Sequence, residues 1–353
     1  MAAIPRVERA RKSPLLRWWQ WGTVLMLLVI GTINYLDRST LSVGNPLIRR
    51  DLHLSVVQIG VLLSAFQWSY ALLLVPSGAF ADRFGPRRWI AVGLAIWSLA
   101  QVAAGFVTSY GQFIVARVFL GVGESPCMPS ANRATTDWFH VRERGLAAGG
   151  WSSASALGPA IAAPLLTVLM LWLGWRGMFV AMGAAGLVMV VVWFAVYRAP
   201  EQTRVDPEER AALSRDDPED SERVTLREWG RLFAKLPTWG MILGFFGCVY
   251  LGWLYLTWLP GYLEIARHLD AATGAVASIP FFAGFLGYLC GGVFTHRLGR
   301  AGLSPITSSK YPIVRPSIRC SCRQSALSAP GIRSVRRQVD RSPPRSRPAL
   351  RGA

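Results

Sequence analysis

Apolar residues gather along this chain in runs of about twenty, the length a helix needs to cross a hydrocarbon core, and short joints between them hold most of the charge. The runs predict eight spans. The first covers about Trp18 to Asn45, the second Val56 to Ala81, the third Trp89 to Val107 and the fourth Phe113 to about Thr135. The fifth runs from about Leu146 to Trp172, and the sixth follows Gly174-Trp175-Arg176 and ends near Tyr197. Spans seven and eight are expected at about Thr238–Leu263 and Gly274–Phe294. The predicted class is all-α, a polytopic membrane protein. Its expected organisation is an N-terminal six-span bundle over residues 1–198, a cytoplasmic linker over 199–237 and a partial C-terminal bundle of about two spans over 238–300. A basic tail covers 301–353 and is read as disordered. The linker, with Asp206-Pro207-Glu208-Glu209 and Asp216-Asp217-Pro218-Glu219-Asp220, is too polar to span and is expected to be a surface loop with a short helix.

The apolar rule breaks inside the first span. At helical spacing Asn34, Arg38, Ser42 and Asn45 form one polar stripe with Asp37 beside it. Such a stripe must face protein or a water-filled cavity, because a charge in hydrocarbon costs several kcal/mol, order of magnitude. The fourth span carries Arg117 and Glu124, and Pro126 and Pro129 are expected to kink it beside Glu124. Trp18, Trp19 and Trp21 suit an interfacial belt at the start of span one. In span five Gly149, Gly150, Gly158 and Pro159 allow close helix approach. Ser152, Ser153 and Ser155 either line a cavity or bond their own helix backbone.

The joint between spans two and three, Gly78-Ala79-Phe80-Ala81-Asp82-Arg83-Phe84-Gly85-Pro86-Arg87-Arg88, returns in damaged form as Gly292-Val293-Phe294-Thr295-His296-Arg297-Leu298-Gly299-Arg300. The agreement extends upstream to Gly60 with Gly274 and Ser64 with Ser278. A repeat this long pairs two halves of a membrane transporter, not solenoid units. Arginines cluster in the N-terminus, in this joint, in His140-Val141-Arg142-Glu143-Arg144 and after span six, while Thr108-Ser109-Tyr110-Gly111 carries no charge. The positive-inside rule then puts the N-terminus and these clusters in the cytoplasm. The apolar run after the basic N-terminus is too long for a signal-peptide core, so it is read as a retained span.

Net charge changes the picture only once it is located. The formal charge is +18, but the stretch from Arg297 onward holds thirteen arginines and lysines against one acid, Asp340. After Val314 the chain turns to Arg, Ser and Pro, as in Pro343-Pro344-Arg345-Ser346-Arg347-Pro348, where four further spans are expected. We read a frameshift near Val314 and a truncated product. The alternative is a basic tail for anionic lipid headgroups. Nucleic acid is not an expected partner. Of the five cysteines, Cys127, Cys248 and Cys290 lie in apolar runs as small hydrophobes, and Cys320 and Cys322 lack a partner cluster, so no metal site is expected. The four histidines have no ligand spacing, and neither a phosphate-cradling loop nor a nucleophile motif is present, so an enzyme is not expected.

At these motifs the chain resembles the major facilitator superfamily, whose loop between spans two and three matches Gly78 to Arg88. Ile33-Asn34-Tyr35-Leu36-Asp37-Arg38, Arg117 to Gly123-Glu124-Ser125-Pro126, and Gly174-Trp175-Arg176-Gly177-Met178-Phe179 resemble its anion:cation symporter family. That family includes carriers of hexonates, hexuronates, glucarate, tartrate and phthalate. The resemblance covers roughly Gly22 to Gly299, with His296 where the second turn's aspartate is expected. It implies a six-helix N-terminal bundle of major facilitator type, working against a second half by alternating access. The implied function is proton-coupled symport of an organic anion, a sugar acid or other carboxylate. Alternatives are a non-transporting truncated remnant or a membrane sensor on the same scaffold. The expected setting is the bacterial inner (plasma) membrane, as a multi-pass monomer whose partners are the bilayer and a small organic anion, with protons as coupling ion and no other cofactor.

Asp37 and Glu124 are carboxylates inside apolar spans, where burial disfavours the charged form. They are the expected proton carriers, as the resemblance also implies, against the alternative of static pairs with Arg38 or Arg117. Arg38, on the stripe, is expected to bind the substrate carboxylate. Arg117 lies two turns before Glu124 on the same face and is expected to pair with a carboxylate and tune it. Tyr35, Asn34, Gln67 and Tyr70 are candidate hydrogen-bond partners of substrate hydroxyls. Tyr70 matches a substrate-contacting position in sugar-acid members of the family. Gly78, Asp82, Arg83, Gly85, Arg87 and Arg88 are assigned to a cytoplasmic gate that pairs with neighbouring helix ends.

Overall fold

The computed structural model describes residues 13–141, 143–214, 226–267 and 273–300. Among them regular structure is entirely helical: α1 (Pro14–Asp51), α2 (Val56–Ala104), α3 (Tyr110–Glu124), α4 (Cys127–Trp138) and α5 (Arg144–Ser152). These are followed by α6 (Ala154–Val196), α7 (Pro207–Ser214), α8 (Leu226–Phe233), α9 (Leu236–Arg267) and α10 (Thr273–Arg300), with a single 3-10 turn at Pro200–Gln202. The all-α, membrane-spanning class expected from the apolar runs is the one observed. By length and composition four helical stretches could each cross a membrane: Pro14–Asp51, Val56–Ala104, Arg144–Val196 and Leu236–Tyr255.

Two of these stretches hold two spans each, and a glycine explains both. Gly85 in α2 has φ +76° and Gly174 in α6 has φ +69°, a region that side chains with a Cβ rarely enter. Each glycine turns the chain back, so Gly85-Pro86 separates spans two and three and Gly174 separates spans five and six. The fourth span breaks once more, between Glu124 and Cys127, where Pro126 lacks the N–H a continuous helix would need.

The apolar core falls into two clusters along α1. Leu16, Val24, Leu27 and Ile30 join one that includes Trp97, Trp138 and Trp193; Leu36, Leu41 and Ile48 join another with Trp175 and Phe179. Asn34, Asp37 and Arg38 lie at the seam. Spans one and five meet through small residues: a Cβ on Gly158 would lie 2.5 Å from the Tyr35 Cβ, and one on Gly31 2.8 Å from that of Ala154. Trp18 and Trp21 are exposed, as a belt requires, but Trp19 stacks on the buried Trp138 with centroids 5.9 Å apart. Cys127 is buried, whereas Cys248 and Cys290 are exposed on their apolar helices.

The start of the linker is more ordered than its charge suggested. Val205 and Leu213 are buried in the first apolar cluster, and Glu209 accepts hydrogen bonds from the Ser13 backbone N–H (2.6 Å) and hydroxyl (2.7 Å). Two apolar side chains and one carboxylate therefore dock residues up to Ser214 onto the first bundle. The chain divides after Val293 into two units, and the second contributes only Phe294–Arg300 to the described residues. The expected basic tail over 301–353, the expected frameshift near Val314, Cys320 and Cys322 lie outside the described residues. Residues 1–12, most of the acidic part of the linker and Arg142 of the second basic joint lie outside them too.

Candidate functional site

Four charged side chains from spans one and four meet at the seam. Arg38 Nε donates to Glu124 Oε2 at 2.7 Å, with the side chains 7% and 0% exposed. The Arg38 guanidinium carbon lies 5.0, 5.3 and 4.7 Å from the ring centroids of Tyr35, Phe66 and Tyr70, so three aromatic faces surround the cation. Arg117 shares one of those walls, 5.2 Å from Phe66. Its Nε and Nη1 have no hydrogen-bond partner although the residue is 1% exposed.

Asp37 stands behind this pair. It is 0% exposed, within electrostatic reach of both Glu124 and Arg117, and the Trp97 indole lies beside it. Neither Asp37 oxygen nor Trp97 Nε1 closes a hydrogen bond. Asn34 stands beside Glu124, with its Nδ2 and Glu124 Oε1 likewise unpaired. Below Asp37, Thr40 Oγ1 donates to the Asp37 carbonyl (2.7 Å) and accepts from Gln101 Nε2 (3.0 Å), tying span one to span three. Spans three and four approach closely enough to build this: a Cβ on Gly123 would collide with the Trp97 backbone nitrogen.

A cavity of about 400 Å³ opens in front of the arginines, a volume within the usual range for small-molecule sites. Its polar lining is Arg38, Arg117, Ser42, Ser64 and Gln67, and Trp68 and Trp253 supply apolar wall. Asp37 and Glu124 do not line it. The site is layered: cations and hydroxyls at the cavity, carboxylates behind them.

This places the expected residues and redistributes their tasks. Arg38, Arg117 and Gln67 reach the cavity together. Tyr35 and Tyr70 flank Arg38 without lining the cavity, and Asn34 lies with the carboxylates. Arg117, expected to pair with a carboxylate and tune it, makes no such bond; Arg38, expected to bind the substrate carboxylate, holds Glu124, the pairing given as the alternative. The reason is helix rotation: Glu124 ends α3 and points to α1, a relation that spacing within one helix does not contain. Ser153 and Ser155 bond their own backbone, to the carbonyls of Gly150 (2.6 Å) and Ser152 (2.8 Å). Sequence reasoning assigned no role to Ser64, Trp97, Gln101 or Trp253. Ser64 shares a face with Gln67 and Ala71 at helical spacing, a signal that was available. Trp97 and Gln101 had none beyond polarity in an apolar run.

The two ends of the bundle are tied differently. At the arginine turn Asp82 meets Arg133 of α4 at 3.3 Å, and Arg133 also holds Asp137 at 2.9 Å. Arg87 Nη2 donates to the Phe194 carbonyl at the end of α6 (2.8 Å), so two of the assigned gate residues do meet neighbouring helix ends. Gly78, Arg83 and Arg88 make no such link among the described contacts, and Arg83 and Arg88 are exposed. At the opposite end Arg176 alone joins three segments: Nη2 meets Asp51 at 3.0 Å and Nη1 donates to the carbonyls of Val107 (2.6 Å) and Gly105 (3.4 Å).

Residues 27–309 match the family model described as Major Facilitator Superfamily. A probable L-galactonate transporter of Escherichia coli (strain K12) is 40% identical over 318 residues, covering 88% of this chain and 69% of that protein. A probable galactarate/D-glucarate transporter of Bacillus subtilis (strain 168) is 34% identical over 327 residues, covering 87% and 71%. Among solved structures, a bacterial homologue of the human lysosomal transporter Spinster, inward-facing and unoccupied, aligns with a TM-score of 0.58 at 25% identity. That alignment takes in 78% of this chain and only 61% of the solved one, so the chain spans about three fifths of that structure's length.

Proposed function

The chain belongs to the Major Facilitator Superfamily, a multi-pass transporter family and not an enzyme family, and from that premise we propose that it is a secondary active transporter carrying an organic anion by proton-coupled symport. The observation that carries this reading is the layering of the site, with Arg38 and Arg117 at the cavity and Asp37 and Glu124 sealed behind.

A carboxylate entering the cavity meets Arg117 first in energetic terms, because its Nε and Nη1 are unpaired. Arg38 is already satisfied by Glu124, so substrate must compete for it. The four charged groups balance before substrate enters. An added anion leaves the cluster one negative charge in excess inside apolar surroundings, and one proton restores the balance. Asp37 is the group to take it, since neither of its oxygens has a hydrogen bond to lose. Glu124, freed from Arg38 by substrate, is the second acceptor. Gln67, Ser42 and Ser64 supply hydrogen bonds to hydroxyl groups of a sugar acid. Alternating access is the rocking of this bundle against a second half, with Asp82–Arg133 and Arg87 at the gate end. A bacterial inner (plasma) membrane, a cytoplasmic N-terminus and a monomer complete the proposal, on the placement of the arginines.

Thermal unfolding of the purified chain in detergent tests the binding half. L-galactonate, D-galactonate and D-glucarate, each at millimolar concentration, are expected to raise the melting temperature, and uncharged galactose is not. Equal shifts with the neutral sugar, or none with any organic acid, would refute it.

A further inference from the structure

Among the described residues three arginines lie together at one end of the bundle, none of them paired to a carboxylate. Arg87 follows the Gly85 break, and Arg198 follows the end of α6 at Val196. Both guanidinium groups point at one oxygen: Arg87 Nη2 donates to the Phe194 carbonyl at 2.8 Å and Arg198 Nη1 at 3.2 Å, while Arg198 Nη1 also donates to the Tyr197 carbonyl at 3.0 Å. Trp193 Nε1 donates to the Arg87 carbonyl (3.0 Å) and fixes the turn against α6. Arg88 is next in the chain, and both it and Arg198 lie near enough to repel Arg87. Among the described residues no carboxylate forms an ion pair with any of the three, and Arg87 Nε is buried without a partner.

Capping the last carbonyls of a helix occupies Arg87 Nη2 and Arg198 Nη1 and leaves the exposed Arg88 without a role. An independent feature says what the excess charge faces. Phe194 lies 4.7 Å from the Arg87 guanidinium, and Phe80, Phe84 and Trp89 of the same turn form a ring cluster with centroids 5.2 to 6.1 Å apart. Phe80, Phe84 and Phe194 are 41%, 45% and 50% exposed. Trp89, a residue type that favours the headgroup level, lies in this cluster where spans two and three join. Cations at the ends of spans beside such a ring suit the level of lipid phosphates.

We propose that Arg87, Arg88 and Arg198 form a site for the phosphate of an anionic phospholipid, with the Phe80–Phe84–Trp89 and Phe194 rings against its glycerol and upper acyl chain. The lipid supplies the negative charge that the described residues lack here. It bridges the joint between spans two and three to the end of span six.

Native mass spectrometry of the full chain in neutral detergent tests this, with phosphatidylglycerol, phosphatidylcholine and soluble glycerol 3-phosphate as probes. The wild type is expected to retain phosphatidylglycerol over phosphatidylcholine. Removing two charges in the Arg88→Gln/Arg198→Gln variant is expected to cut that retention about thirtyfold, whereas Arg88→Lys/Arg198→Lys keeps most of it. The arginines beyond Arg297 are the same in every variant, so they contribute a common background. Retention unchanged by the glutamine pair, or lost equally in the lysine pair, would overturn the proposal. Displacement of phosphatidylglycerol by equimolar glycerol 3-phosphate would overturn the lipid assignment in favour of a free phosphate ester. None of these readouts depends on transport, so they stand whether or not the symport reading does.

Discussion

Two arginine–carboxylate pairs hold span four to its neighbours, one in the bundle core and one at its end. Arg38–Glu124 is 2.7 Å long with side chains 7% and 0% exposed; Arg133–Asp82 is 3.3 Å long with side chains 47% and 69% exposed. The chemistry is the same and the solvent is not. Water and salt screen the outer pair, and breaking it frees two groups that hydrate at once. Breaking the inner pair strands a charge in apolar surroundings. The outer pair can open and close at little energetic expense, as a gate must. The inner pair opens only when something else satisfies its charges, which is the property a coupled binding site needs.

The largest effect follows from stranding the inner charge. Arg38→Ala is expected to destabilise the chain by about 3–5 kcal/mol and to abolish substrate-induced stabilisation, read by thermal unfolding in detergent. Replacing both partners, as Arg38→Met with Glu124→Leu, is expected to recover most of that stability and none of the binding. If the double variant is as unstable as the single one, the loss is packing and not charge. An intermediate effect is expected at the opposite end, where Arg176→Gln removes an ion pair to Asp51 and bonds to two carbonyls. About 1–2 kcal/mol is the expected loss, because the groups are partly exposed. The smallest effect belongs to the outer pair. Asp82→Asn is expected to change stability by less than about 1 kcal/mol, and the wild-type difference to shrink further at high salt. A loss there comparable to Arg38→Ala would erase the distinction between the two pairs.

Much of this was legible in the residues, for reasons that differ by place. The stripe of Asn34, Arg38 and Ser42 could be read because hydrocarbon tolerates no unpaired charge, so its direction was fixed before any partner was known. The turn at Gly85-Pro86 could be read because both residues restrict the backbone locally. Partner choice was another matter. Whether Glu124 meets Arg38 or Arg117 depends on how α3 is rotated against α1, and that rotation is set by contacts such as Gly123 on Trp97, which no local pattern encodes. The linker was legible in part. Its charge argued for a surface loop with a short helix; the helix is there as α7, and Val205, Leu213 and Glu209 dock it, which charge alone did not indicate. Trp253 reaches the cavity from α9, far along the chain, and only three dimensions bring it there.

The central claim is that Asp37 couples a proton to anion movement while Arg38 and Arg117 bind the anion. Uptake of labelled L-galactonate into vesicles containing the wild type or Asp37→Asn, with and without an acid-outside gradient, tests it most directly. The account predicts gradient-driven accumulation by the wild type that a protonophore collapses. Asp37→Asn should still exchange internal for external substrate but accumulate none. Accumulation by Asp37→Asn equal to the wild type would remove Asp37 from the coupling. Wild-type flux no greater than that of empty vesicles would contradict transport by this chain.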